Sequence, residues 1–398
     1  MQAIQAAKRT DGVRYAIRDV VMQAREHAAR GMDMLYLNIG DPIQFDFQTP
    51  PHLLEAISKS MMDGNNGYCP SEGTDEAVGA VKREAGRKGI HNPHHIYIAT
   101  GASEAIELAL TALLDPGDEL LVPSPGYPLY TALLSKLSAK GVAYQLDEDN
   151  GWQPDVADME RLITPRTKGL VIINPNNPTG SIATTETLDE VVALAKAHNL
   201  LLLSDEIYDK LLLNGDTLVS LASRAGNHPC VTFGGIAKCY LGPGLRVGWG
   251  VVSGATDLIE TYSDAIGRLE RARLCASHPA QASVAAALEG PQDHIEDMNR
   301  RLSERRDHLM DGLRAIDGIS CIAPQGAFYA FPRLHDVVDD NAFVMDLMAA
   351  TGIVCVPGSG FGQAPGTAHL RFVVLPPPDV IDMAMSRLGN FMQNRPPQ

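Results

Sequence analysis

The sequence predicts an α/β protein whose main body is a mostly parallel sheet between helices, followed by a smaller α+β unit. Three observations carry that expectation. Runs such as GLVII (169–173) and LLLL (200–203) are apolar at every position, as strands covered on both faces require. Between 95 and 253 such runs alternate with helix-period segments, the order of a parallel sheet with crossover helices. Polar and small residues gather just past the strand ends, where sheets of this kind bind ligands.

Composition sets the outer limits. A chain of 398 residues with 45% hydrophobic content exceeds the roughly 250–300 residues at which a single core stops growing, so two domains are expected. The formal charge of −15 disfavours nucleic acid and anionic membranes as partners. Six cysteines (69, 230, 239, 275, 321, 355) without CxxC spacing argue against a zinc site or disulfide framework, so no metal is expected and a reducing, cytoplasmic compartment is. The N-terminal stretch mixes Arg14, Arg18 and Arg25 with Asp11, Asp19 and Glu26 and has no apolar signal core. No stretch approaches the roughly 20 apolar residues of a membrane span.

Residues 13–30 place Ile17, Val20, Val21, Ala24 and Ala28 on one helical face, with Gly31 as the stop. MLYLNIGDP (34–42) is a short strand entering a Gly-Asp-Pro turn whose amides at Ile39 and Gly40 suit an anion. The glycine-rich loop GNNGYCPSEG (64–73) carries Tyr68 as either a lid residue or a surface one. HIYIAT (95–100) is a strand and GASEAIELALTALL (101–114) a helix with Ile106, Ala109, Leu110 and Leu113 inward. Ser103 at its start either caps the helix or helps hold a phosphate, and the Gly101-Ala102 pair ahead of it favours a close ligand.

ELLVPSP (119–125) is the next strand and exposes Tyr127 just past its end; LDEDNGWQP (146–154) reads as a linker. KGLVIINPNNPTG (168–180) gives a strand ending near Asn177, and LLLLSDEIYDK (200–210) one ending at Asp205 and Tyr208. A carboxylate at the end of a buried strand is paired or capping, and the neighbouring ligand groups favour pairing with a cation. In VTFGGIAKCYLGPGLRVGWG (231–250), a strand and a run of small residues lead to Lys238, with Arg246 eight positions on and a further strand at 248–253. GIAK alone fits a surface lysine as well as a buried Schiff-base lysine. The gathering of Ser103, Tyr127, Asn177, Asp205, Tyr208, Lys238 and Arg246 at one sheet edge decides for the second reading. Residues 286–316 read as a long charged helix, followed by strands around 321–324, 328–332, 353–358 and 369–375; Arg371, between Leu370 and Phe372, is an edge charge or faces a carboxylate.

With Lys238, Asp205, NPNNPTG and Arg371 in place, the sequence resembles the pyridoxal phosphate-dependent class I/II aminotransferases of fold type I over nearly its whole length. LNIGDP, GYCPSEG, PRTKGLVIINPNNPTG, SDEIYDK and RARLCASHPAQ (271–281) are similar to the alanine aminotransferase branch. The resemblance implies a large domain (49–285) with a mostly parallel seven-stranded sheet, a C-terminal small domain (286–398), and an N-terminal segment (1–48) contributing to the small domain and covering the site. It implies that Lys238 forms the Schiff base with pyridoxal 5′-phosphate, that Asp205 pairs with the pyridine nitrogen, and that Tyr208 and Asn177 bond the phenolic oxygen. Tyr127 would stack on the ring, Ala102, Ser103 and Arg246 would hold the phosphate, and Tyr68 would reach the phosphate of a homodimeric partner sharing the site. Arg371, Gly40 and Asn177 would hold the substrate carboxylate, with Tyr15 and Arg18 as candidates for the second carboxylate of glutamate.

The implied reaction is ping-pong transfer from L-alanine to 2-oxoglutarate, giving pyruvate and L-glutamate. Aromatic or branched-chain transamination, a β-lyase or synthase, and a non-catalytic cofactor-binding regulatory module are the alternatives. Two features depart from the family pattern. A hydroxyl often found one or three residues before the lysine is absent at Ala237 and Gly235, and Cys239 and the LGPG stretch before Arg246 are unusual.

Overall fold

The computed structural model describes residues 3–13, 16–215 and 217–395, with the side chains of 16–19 outside that description. The large sheet contains β1 (Pro93–Ala99), β2 (Glu119–Ser124), β3 (Lys140–Asp147), β4 (Gln153–Pro154), β5 (Thr167–Ile173), β6 (Leu201–Asp205), β7 (Cys230–Gly235) and β8 (Gly248–Ser253). Their order is β1-β8-β7-β6-β5-β2-β3-β4. Eight strands thus stand where seven are expected, because the two-residue β4 pairs antiparallel with the end of β3. Both lie at or beside the stretch read as a linker: β3 is covered on its outer side only by the two-residue β4 and has several exposed positions, so its sequence lacks the continuous apolar run of its neighbours.

Alternation along each central strand assigns side chains to two cores. Leu170, Ile172 and Leu202 face one side with Leu188, Val191 and Ala195 of the helix Thr185–His198. Val171, Ile173 and Leu203 face the other, with Ile106 and Leu110 of Ala102–Leu113 and Ile259 and Ile266 of Thr256–Arg273. Each such side chain contributes about 1.5–3 kcal/mol on burial.

The helix His278–Glu289 runs across position 285 and packs on Pro51–Met62 and Asp75–Arg87. The charged helix Asp293–Arg314 leads to a small, mainly antiparallel sheet centred on Ala368–Val373. That strand pairs with Tyr329–Ala330, Arg333–Leu334 and Val356–Pro357. The strand expected at 321–324 falls instead at Ile319–Ser320. Near the N-terminus, helix Ala16–Ala29 buries Val20 and Ala24, whereas Ala28 is exposed; Gly31, with φ +89°, ends the run. Leu35–Tyr36 then pairs in parallel with Ile353–Val354, so this segment is built into the C-terminal part. Among the described residues no helix is long and apolar enough to cross a membrane.

Candidate active site

Strand β8 is antiparallel to both β1 and β7, so β1 runs in the same direction as β7, β6, β5 and β2. The C-terminal ends of those five strands and the start of β8 therefore share one edge. Ala102, Ser103, Tyr127, Asn177, Asp205, Tyr208, Lys238 and Arg246 line a single cavity there of about 170 Å³. Asp205 and Lys238 open into the same space, as the sequence reading requires.

Asp205 is the last residue of β6 and is 3% exposed. The Tyr130 hydroxyl donates to its Oδ2 at 3.1 Å and the Ile207 amide to its Oδ1 at 3.4 Å. Burial pushes its carboxyl up to about 6, against the pull of those two bonds. No cation of the protein pairs with it among the described residues. The Lys238 ammonium donates to the Gly40 carbonyl at 2.8 Å. Burial lowers it to about 8; Asp41 opposes that shift, and Arg371 and Arg246 add to it. A carboxyl that ionises late and an amine that deprotonates early face one cavity, which is how a nucleophile and a charge partner are prepared for a ligand.

The anion end is built from backbone. Gly101, with φ +81°, is the N-cap of Ala102–Leu113 and makes no side-chain cap bond. Ser103 is therefore not the cap, and it lines the cavity beside amides that have no partner within the helix. A Cβ at Gly101 would stand 2.5 Å from Arg246 Nη2, so the guanidinium lies directly against the turn. The LGPG stretch explains how it is aimed: Pro243–Leu245 forms a single 3-10 turn, Arg246 is left-handed with φ 51°, and its Nη1 donates to the Pro243 carbonyl at 3.0 Å. The missing hydroxyl at 235 also has a reason, since a Cβ there would meet the Val247 carbonyl at 3.0 Å and Ile207 Cδ1 at 3.1 Å. Cys239 points away from the cavity contacts of Lys238, its thiol donating to the Ile207 carbonyl and to Asp209 Oδ1, each at 3.5 Å.

Arg371 is 1% exposed in the strand Ala368–Val373. Its Nη2 donates to the Asn38 carbonyl at 2.7 Å and its Nη1 to Asn177 Oδ1 at 3.3 Å, while Nε has no partner. The guanidinium carbon lies 4.7 and 4.8 Å from the ring centroids of Tyr329 and Phe361. Among the described residues it is a buried cation with only neutral contacts, which the protein retains at a cost that an incoming carboxylate would offset.

Gly40 accepts from Lys238 through its carbonyl. Tyr68 is 83% exposed and takes no part in this chain's cavity. Tyr15 and the side chain of Arg18 lie outside the described residues. Sequence reasoning passed over Tyr130, Asn38 and Tyr329. Tyr130 stands three residues after Tyr127 on the helix Leu129–Leu137, a spacing that could have drawn notice; Asn38 and Tyr329 looked like ordinary strand residues.

Comparisons with known proteins agree with this geometry. The family model described as aminotransferase class I and II matches residues 32–388. The chain is 43% identical to the alanine aminotransferase of Mycobacterium tuberculosis, covering 98% of this chain and 92% of the relative. It is 38% identical to the glutamate-pyruvate aminotransferase AlaA of Escherichia coli, covering 98% of each. Among solved structures, an alanine aminotransferase from Pyrococcus furiosus superposes with a TM-score of 0.95 at 41% identity, covering 98% of this chain and all of the other. Sequence, fold and the furnished sheet edge converge, and the chain belongs to the class I and II aminotransferases.

Proposed function

We propose that this aminotransferase uses pyridoxal 5′-phosphate to move an amino group from L-alanine to 2-oxoglutarate, and the reverse. The observation that carries the reading is the pairing of an unneutralised carboxyl, Asp205, with a deprotonation-prone amine, Lys238, across one cavity whose far end is a helix N-terminus backed by Arg246. That donor set fits the group: Ala102, Ser103 and Arg246 would hold the phosphate, Tyr127 would stack on the ring, and Tyr208 and Asn177 would bond the phenolic oxygen. When bound, the cofactor supplies an aldehyde for the amine and a ring that accepts electrons.

The chain's own residues do the rest. Lys238 would hold the cofactor through its amine and, when free, would carry the proton taken from the substrate α-carbon. Asp205 would hold a proton at the ring nitrogen. Arg371 binds the α-carboxylate and, with Asn177, orients the α-carbon. Arg18 and Tyr15 are proposed to meet the second carboxylate of glutamate. Residues 49–285 would form the cofactor domain, 286–398 the small domain, and 1–48 would be shared between the small domain and the cover of the site.

Exposed Tyr68, with Met61 and Met62 (84% exposed) nearby, supports a homodimer in which Tyr68 reaches the other chain's phosphate. The charge of −15 supports small-molecule partners, and six cysteines without paired spacing support a cytoplasmic location. Steady-state kinetics over a panel of amino donors with 2-oxoglutarate test the substrate reading, alanine giving the highest kcat/KM and parallel double-reciprocal lines. Preference for an aromatic or branched donor, or release of ammonia, would replace it. Arg18→Ala should raise KM for glutamate at least about tenfold more than KM for alanine. Light scattering should return twice the mass of one chain.

A further inference from the structure

Tyr329 belongs to the small C-terminal sheet, yet its hydroxyl reaches that of Tyr208, which lines the cavity. The register explains how. Tyr329 pairs with Val373, and Arg371 lies two residues before Val373 on the same strand. Directly paired residues share a face and strand residues repeat with period two, so Tyr329 and Arg371 are diagonal neighbours on one face. The ring consequently lies 4.7 Å from the Arg371 guanidinium carbon, and the hydroxyl lies 3.0 Å from the hydroxyl of Tyr208. The Tyr329 hydroxyl also packs on the α-carbon of Gly40, where a Cβ would approach it to 2.3 Å. Gly40 in turn accepts from Lys238. One side chain therefore touches the carboxylate clamp, the tyrosine at the cofactor's oxygen and the backbone beneath the lysine.

A hydroxyl has one proton to give. If Tyr208 gives its proton to the cavity, the 3.0 Å contact must be filled by the proton of Tyr329. We propose that Tyr329 is a positioning residue whose hydroxyl donates to the Tyr208 hydroxyl, aiming the Tyr208 proton into the cavity, while its ring backs the Arg371 guanidinium. The carboxylate clamp and the oxygen donor are then set by one residue delivered from the C-terminal sheet. Burial also pushes the Tyr208 phenol well up, so Tyr208 keeps a proton to donate across the working range. Hydrogen bonds in series polarise one another, which makes Tyr208 a stronger donor than it would be alone.

The inference rests on the pyridoxal phosphate reading, and its test reads the resting holoenzyme rather than turnover. Donation to the cofactor oxygen favours the deprotonated form of the lysine-bound chromophore and lowers the pH at which its visible band half-titrates. Tyr329→Phe removes the hydroxyl and keeps the ring, so that pH should rise by roughly half a unit. In a Tyr208→Phe background the same substitution should shift nothing. A fall would mean that Tyr208 had been donating to Tyr329; either that or no change overturns the relay.

KM for alanine should stay within about twofold in Tyr329→Phe and rise about five- to tenfold in Tyr329→Leu, which removes the ring beside Arg371. Equal KM in both variants overturns the part assigned to the ring. If the unsubstituted protein forms no visible band with pyridoxal phosphate, the cofactor reading falls and the relay with it. A band that ignores Tyr329 removes the relay alone.

Discussion

The segment Asp205 to Lys210 has two sides with opposite electrostatics. Away from the cavity, every charge is answered. Lys88 bonds Glu206 at 3.0 Å and Asp209 at 2.5 Å, Ser204 and Ser220 donate to Glu206 at 2.9 and 2.7 Å, and Lys210 meets Glu84 at 2.7 Å. Burial pulls Lys88 down, but Asp209 and Glu206 outweigh it and hold the amine above its ordinary value. On the cavity side, among the described residues, Asp205 has no cation and Arg371 only neutral partners, and Lys238 is lowered. The contrast teaches that this backbone can satisfy buried charges within a few ångströms of the site. The charges left unsatisfied are those a ligand is built to complete.

Substitutions on the two sides should differ in kind. Lys238→Ala should cut turnover at least about 10⁴-fold and remove the visible band formed with pyridoxal phosphate, while leaving the denaturation midpoint near that of the parent. Retention of the band would move the chemistry to another amine. Asp205→Asn should lower kcat by about 10²–10³-fold with a small change in KM, because the lost charge acts on the reacting state.

Lys88→Met, on the paired side, should do the reverse. It strands Glu206 and Asp209 and should cost about 3–4 kcal/mol in urea unfolding, with KM for alanine unchanged in the folded fraction. A KM effect larger than the stability effect would erase the distinction between the sides.

The mildest effect is in pH dependence. Lys238 deprotonates near 8 in the folded chain and near 10.5 when unfolded, so between those values the unfolded state binds more protons and stability rises with pH. The cofactor-free protein should gain up to about 3 kcal/mol across that window relative to Lys238→Met, whose profile lacks this contribution. Equal slopes in the two proteins would show the amine to be solvated.

Much of this was legible in the sequence. Strands covered on both faces announce themselves as unbroken apolar runs, which is why β5 and β6, with Asp205 at the latter's end, stood out. β3 did not, since it is half exposed and KGVAYQLD carries polar residues through it. Lys238, Asp205 and Arg371 were visible because charge in an apolar setting is costly and so informative. Tyr130 and Tyr329 were not, because a buried tyrosine looks like core until its hydroxyl partner is known, and those partners lie 75 and 121 residues away.

The bond from Arg371 to the Asn38 carbonyl joins positions 333 residues apart. The neighbouring Val373 amide likewise donates to the Leu37 carbonyl at 2.8 Å. A nascent chain emerging from the ribosome can complete most of the eight-stranded sheet early, yet its catalytic pocket must wait for nearly the last strand to be synthesised. Truncated products should therefore be inert and leave a hydrophobic edge uncovered, exposing them to aggregation or proteolysis before the full-length enzyme is sealed.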